Sequence, residues 1–234
     1  MARVWTQIGH QSGGGSVLAA HVCAAVLASV DVDCAAMTVL VNSVVRETVH
    51  ATDTLAAELE DLQLTLGEGP GVDTCTDGGP VFAGDLRAHE YLARWPTFTQ
   101  AALHGGARAV FSLPLQTGAV RLGALDLYRR RPGPLSNDDT ADALAFADTA
   151  GLVLLDAARP TSDGSDPAWY CDGPVAHPAQ VHQATGMVLA QLGVGADAAY
   201  ARLRAYAYAH GVPLNEVARE VVDRRLRFET DPTV

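Results

Sequence analysis

The residues of this chain best suited to work at a charged surface are arginines set among tyrosines. Arg202 and Arg204 stand beside Tyr200, Tyr206 and Tyr208, a combination in which guanidinium groups meet phosphates and aromatic faces stack on the bases of single-stranded RNA. The same residues also fit a small helical dimerisation module, with the tyrosines in its core and the arginines paired to Glu216, Glu220 and Asp223. Charge alone favours the second reading. From 175 to 228 six arginines face four acids, a smaller excess than nucleic-acid binders usually carry.

Other chemistries are excluded or unsupported. All 16 basic residues are arginine, which removes a phosphate-binding loop with its lysine, a pyridoxal Schiff base and a protein-kinase site. His89-Glu90 is half of a zinc-binding HExxH pattern, but Ala93 stands where the second histidine belongs. No serine lies in a GxSxG elbow. Gly13-Gly14-Gly15 reads as a flexible lead-in and Gly67–Gly71 as a helix-terminating turn. His177 and His182 are one step beyond the helical spacing that shares a metal, and the histidines are read as surface or packing residues. Glu58, Glu60 and Asp61 read as the solvated face of a leucine-backed helix, and Arg129-Arg130-Arg131 as a solvated turn. Cys23, Cys34, Cys75 and Cys171 have no CxxC spacing and suit a reducing compartment. No apolar run reaches the length of a membrane span, and no apolar signal segment follows Arg3. A soluble, cytoplasmic protein without a catalytic or metal site is the expectation.

The elements that must position these residues fall into two regions. The chain has 234 residues and a formal charge of −11; from 175 onward six arginines balance six acids, so the whole excess belongs to residues 1–174. In the first region, Val17–Val30 has helical spacing, Ala35–Val45 and Arg46–Thr52 form a strand pair, and Asp53 caps a helix to Leu66. Pro80–Ala83 is a short strand and Pro96–His104 a short helix. Ala109–Gln116 and Val120–Arg129 form a hairpin turning at Thr117-Gly118-Ala119, and Ser136 opens a long helix to Ala158. Hairpins without regular βα alternation predict an α+β fold, an antiparallel sheet flanked by helices. The second region predicts three helices over Ala176–Leu192, Ala196–His210 and Leu214–Phe228, a core small enough to need a packing partner.

The second region then shows a family resemblance. VHQATGMVLAQLG at 181–193, AYARLR at 199–204 and LNEVAR at 214–219 resemble the ANTAR domain, a three-helix RNA-binding module of bacterial transcription antiterminators. In the first region, EDLQL at 60–64, GEGP at 67–70, DL at 85–86, WPTF at 95–98, SLPL at 112–115 and LGALDLY at 122–128 resemble the GAF domain. The resemblances imply a GAF-like sensory or dimerisation domain over 14–158, a linker over 159–174 and an ANTAR-like domain over 175–230. They imply paired RNA stem-loops as partner, bound by a homodimer so that a terminator does not form, with no DNA and no membrane partner. Gln183, Ala184, Thr185, Gly186, Gln191, Tyr200, Arg202 and Arg204 are the RNA-binding set so implied. Thr185 and Gln191 stand where the family often has lysine and arginine, which lowers the salt-dependent part of affinity. The GAF half implies a pocket between sheet and helices for a small-molecule ligand of unknown identity. It lacks the Asn-Lys-Phe-Asp-Glu pattern of cyclic-nucleotide binders, and Gly71 replaces a cysteine common after GEGP.

Overall fold

A computed structural model describes residues 2–13, 17–40, 46–157 and 178–229. The linker expected at 159–174, Cys171 within it, and His177 lie outside the described residues, as do Gly14, Gly15, 41–45 and Ala158. The elements are α1 (Ala2–Ser12), α2 (Ala19–Leu27), β1 (Cys34–Leu40), β2 (Arg46–Ala51), α3 (Thr54–Leu66), α4 (Pro70–Asp77) and β3 (Val81–Ala83). There follow α5 (His89–Arg94), α6 (Pro96–His104), β4 (Ala109–Thr117), β5 (Val120–Arg129), α7 (Asn137–Ala157), α8 (Pro178–Leu192), α9 (Ala196–His210) and α10 (Leu214–Val222). The expected strands and the long helices take their places; α1, α4 and α5 are additions to the sequence reading.

The five strands form one antiparallel sheet in the order β2-β1-β5-β4-β3. Because side chains alternate across a sheet, its two faces carry different chemistry. One face sets Met37, Phe111, Leu113, Leu125 and Leu127 against α1, α2 and α7, where Val4, Ile8, Val26 and Phe146 close an apolar layer. The other sets Cys34, Ala36, Val110 and Tyr128 against Leu55 and Leu59 of α3 and Trp95 and Phe98 near α6. On that second face the alternation also places Thr38, Ser112 and Asp126, all buried.

Local chemistry explains the boundaries of α3. The Asp53 carboxylate accepts from the Ala56 amide at 2.8 Å, satisfying a donor that has no acceptor within the helix. At the other end Gly67 takes the left-handed conformation, φ 63°, a backbone region in which a side chain is strained. The turn after it does more than stop a helix, because Gly69 and Pro70 open α4. Proline suits that first helical position, where its missing amide hydrogen costs nothing.

Two expectations are corrected here. Arg129 is not solvated: only 2% exposed, it donates to the Asp31 carbonyl at 2.8 Å and to Gly133 and Pro134 carbonyls at 3.2 Å, and lies 5.3 Å over the Phe111 ring. Its neighbours Arg130 and Arg131 are the exposed members, paired with Asp53 and Asp31. The last helix ends at Val222 rather than Phe228, because the chain turns through Arg224 and folds back so that Phe228 meets Tyr206 edge-on at 5.6 Å. Asp53→Ala should lower unfolding free energy by about 1 kcal/mol, read from a urea melt of the full chain.

Candidate nucleic-acid interface

Helices α8, α9 and α10 enclose Val181, Ala184, Val188, Tyr200, Leu203, Ala207, Val217 and Val221. Leu64 of α3 belongs to the same core, so the packing partner that the small core needs is the first region of the same chain.

The eight residues implied for RNA divide by environment. Gln183, Gly186 and Arg202 are exposed, and a Cβ at Gly186 would meet nothing within 4 Å. Ala184, Thr185 and Tyr200 are buried, at 0%, 3% and 2% exposure; the Thr185 hydroxyl turns inward and donates to the Val181 carbonyl at 2.7 Å. Gln191 is half-buried, its Oε1 accepting from the Phe228 amide at 2.8 Å. Of the other tyrosines, Tyr206 stacks on His210 at 3.9 Å, while Tyr208 is 60% exposed. The acids expected to pair with arginines do so in part: Arg225 meets Glu220 at 2.9 Å and Asp223 at 2.8 Å.

Arg204 has a different partner. Its Nε donates to the Thr65 carbonyl at 3.1 Å and its Nη2 to the Leu66 carbonyl, and its guanidinium lies 5.8 Å from the centre of the Tyr200 ring. Those carbonyls belong to the last turn of α3, where the helix leaves acceptors unpaired and its dipole favours a cation. Burial pushes the Arg204 guanidinium below its ordinary value, with Tyr200 opposing and Arg46 assisting. Gly67 makes the approach possible. A Cβ there would sit 1.7 Å from Nη2 of Arg204, so any side chain would evict the guanidinium. A second polar tie joins the regions, the Asn215 amide donating to Asp61 at 3.1 Å. Beside these contacts runs a hollow of about 310 Å³, walled by Thr65, Leu66, Glu68, Arg204 and Tyr208.

The opposite side of α3 corrects the expectation for its acids. Glu60 is 2% exposed and accepts from Thr38 at 2.9 Å and from Tyr128 at 2.5 Å. Gln63, equally buried, donates to Tyr128 at 3.1 Å and accepts from the Gly71 amide at 2.7 Å. Burial first, then the neighbouring Asp126 carboxyl, hold Glu60 well above the usual carboxylate range; burial raises Asp126 as well. Asp61 is pushed up to about 6 by burial alone. The sequence signal for Glu60 was its register: four residues after Ala56 and three before Gln63, it shares the buried row of α3. Between sheet and helices, where a ligand pocket is expected, lies a void of about 10 Å³ bounded by Thr38, Arg46, Glu60, Gln63, Gly71 and Asp126, room for about one water.

Residues 175–222 match the ANTAR domain family, so the chain carries an ANTAR domain there. Solved structures similar to the chain include the GAF domain of a two-component sensor histidine kinase from Bacillus halodurans, 12% identical, covering 67% of this chain and 94% of that one with a TM-score of 0.42. Another is a GAF domain/HD domain protein from Geobacter sulfurreducens, 15% identical, covering 58% of this chain and 89% of that one with a TM-score of 0.45. No curated protein matches the chain. Among the described residues no helix is long and apolar enough to cross a membrane.

The acids around this junction give the fold a pH dependence. Glu47 on β2 is 3% exposed, neither carboxylate oxygen has a hydrogen-bond partner among the described residues, and burial raises its pKa from 4.5 to about 7. A carboxyl held neutral in the folded chain ionises more readily when unfolded, so its cost is absent below pH 4.5 and grows as pH rises toward 7. Thermal melts should give a higher Tm at pH 5 than at pH 8. Glu47→Gln should raise Tm at pH 8 by about 2–4 °C for each kcal/mol that ionisation costs, and flatten the pH profile.

Proposed function

We propose that this chain is a signal-responsive regulator that binds stem-loop RNA and so prevents transcription termination, acting in the cytoplasm as a homodimer rather than as an enzyme. A sensory or dimerising unit over 14–158, a linker over 159–174 and an RNA-binding unit over 175–230 make up the molecule. The observation that carries the reading is the coincidence of the ANTAR match at 175–222 with the three-helix unit of α8, α9 and α10. Two features support the link to a signal: Arg204 is held by α3, and the same helix forms one wall of the polar interior of the first region.

In this reading Gln183, Gly186 and Arg202 meet RNA directly, while Ala184, Thr185 and Tyr200 fix the helix packing behind them. Arg204 joins the RNA surface when α9 leaves α3. Until then its donors are occupied by the Thr65 and Leu66 carbonyls, and a phosphate must compete for them. A small-molecule ligand entering between α3 and the sheet would have to displace Gln63 or Glu60, and would thereby move the helix that holds Arg204. Among the described residues no helix presents the arginine- or asparagine-rich face with which DNA grooves are read.

The test is a mobility-shift titration of tandem stem-loop RNA at low salt with the full-length chain and with Gly67→Ala. The substitution evicts Arg204 from α3 without removing its charge and also strains the left-handed end of α3, so Tm is read beside affinity. Both proteins should bind, the variant about tenfold more tightly, a coupling of ordinary allosteric size. Absence of binding by both removes the RNA reading, and equal binding removes the latch.

A further inference from the structure

A second cationic feature lies beyond the segment that matches the ANTAR family. After α10 the amides of Arg225 and Leu226 return to the Glu220 carbonyl at 2.8 and 3.0 Å. Arg224 makes this turn at φ 60°, a left-handed conformation that glycine usually supplies after a helix. The chain is then pinned to α8 by the Phe228 amide on Gln191 Oε1.

The three arginines of this turn meet different fates. Arg225 is neutralised by Glu220 and Asp223. Arg224 and Arg227 are exposed, and neither has a carboxylate partner among the described residues. Both line a hollow of about 340 Å³ whose remaining walls are Met187, Gln191 and Leu226. Two unneutralised guanidinium groups over a partly apolar hollow match the charged oxygens and the sugar of a polynucleotide backbone.

We propose that Arg224 and Arg227 grip a phosphodiester of the bound RNA, in a site built by the turn after α10 and the Gln191 end of α8. The proposal rests on the RNA-binding reading and extends it to two residues outside the matched segment. Gln191 ties the two together, because the position that the ANTAR resemblance assigns to RNA forms a wall of this hollow. The backbone geometry agrees: an arginine occupies a conformation that a glycine would hold with less strain, and the hollow gives its charge a use. Every wall of the site belongs to the three-helix unit, so it stays open while Arg204 is docked on α3.

The experiment uses full-length protein in the Gly67→Ala background and in the unaltered chain, with RNA binding measured across a salt series and Tm alongside. Arg224→Gly should keep or raise Tm yet weaken RNA binding about tenfold and lower the slope of log K against log salt by about one. Arg227→Gln should do the same, whereas Arg225→Gln should change affinity by no more than about twofold. A folded Arg224→Gly/Arg227→Gln double variant with unchanged affinity and slope overturns the site while leaving the RNA reading standing. A loss of binding matched by a loss of Tm assigns the turn a structural role and overturns it too. So does a double variant that keeps RNA but loses an acidic peptide probe, which points to a protein partner. Failure of both backgrounds to bind RNA would fell the reading and the site together.

Discussion

The two regions of this molecule share a guanidinium placed at the end of one helix. The last carbonyls of α3 have no amide left to pair with, and the helix dipole adds partial negative charge there. Arg204 supplies the missing donors from the other region of the chain. Hydrogen bonds to a charged group are worth about 1.5–3 kcal/mol each, offset by the desolvation of an arginine made half-buried by the contact. The net is a modest bond. Carbonyl oxygens at a helix end imitate, at partial charge, the oxygens of a phosphate, so in the proposed function Arg204 rests on an internal surrogate of RNA.

What makes that contact more than a local tie is that α3 is engaged on two sides. Leu64, Asp61, Thr65 and Leu66 look toward α9 and α10, whereas Glu60 and Gln63 look into the sheet. The thirteen residues of α3 thus join the two regions. In the proposed function, a rearrangement of the interior polar groups shifts the carbonyls on which Arg204 rests. Arg46 strengthens the connection, because it borders the internal void and its charge bears on Asp126, Tyr200 and Arg204. The void itself has room for about one water.

Most of the architecture was legible because its signals are local. Asp53 capping α3, the turn at Gly118, and the glycines that end α3 and α9 are each set by a residue type acting within a few positions. The same holds for the three-helix unit, whose apolar rows predict its core. What escaped the sequence depends on tertiary neighbours. Glu60 looked like a solvated acid because its partners, Thr38 and Tyr128, come from strands 22 and 68 residues away. Arg129 looked solvated because the carbonyls that hold it come from Asp31 and from the turn at Gly133 and Pro134. Of the residues that the resemblance implies for RNA, Gln183, Gly186 and Arg202 lie exposed, whereas Ala184, Thr185 and Tyr200 are buried. The docking of Arg204 was not legible, since nothing near residue 204 encodes the end of a helix at residue 66. The early stop of α10 was hidden for a related reason: Val222 and Leu226 continue the apolar row that the turn at Arg224 interrupts.

Charge distribution gives these pieces an order of action. The first region carries twenty-one acids against ten arginines, while residues from 175 onward are balanced. A polyanion is therefore repelled by one side of the molecule and tolerated by the other, with the repulsion reaching only about 8–10 Å at physiological salt. Within the tolerated side, Arg224 and Arg227 offer unneutralised charge without any rearrangement, whereas Arg204 offers it only after leaving α3. Contact through the open arginines would hold RNA beside the module while the latch is still closed. Release of Arg204 would then add binding surface only in the undocked state. Affinity gained in one state alone shifts the balance toward that state, so RNA and any ligand that loosens α3 would reinforce one another through the same helix.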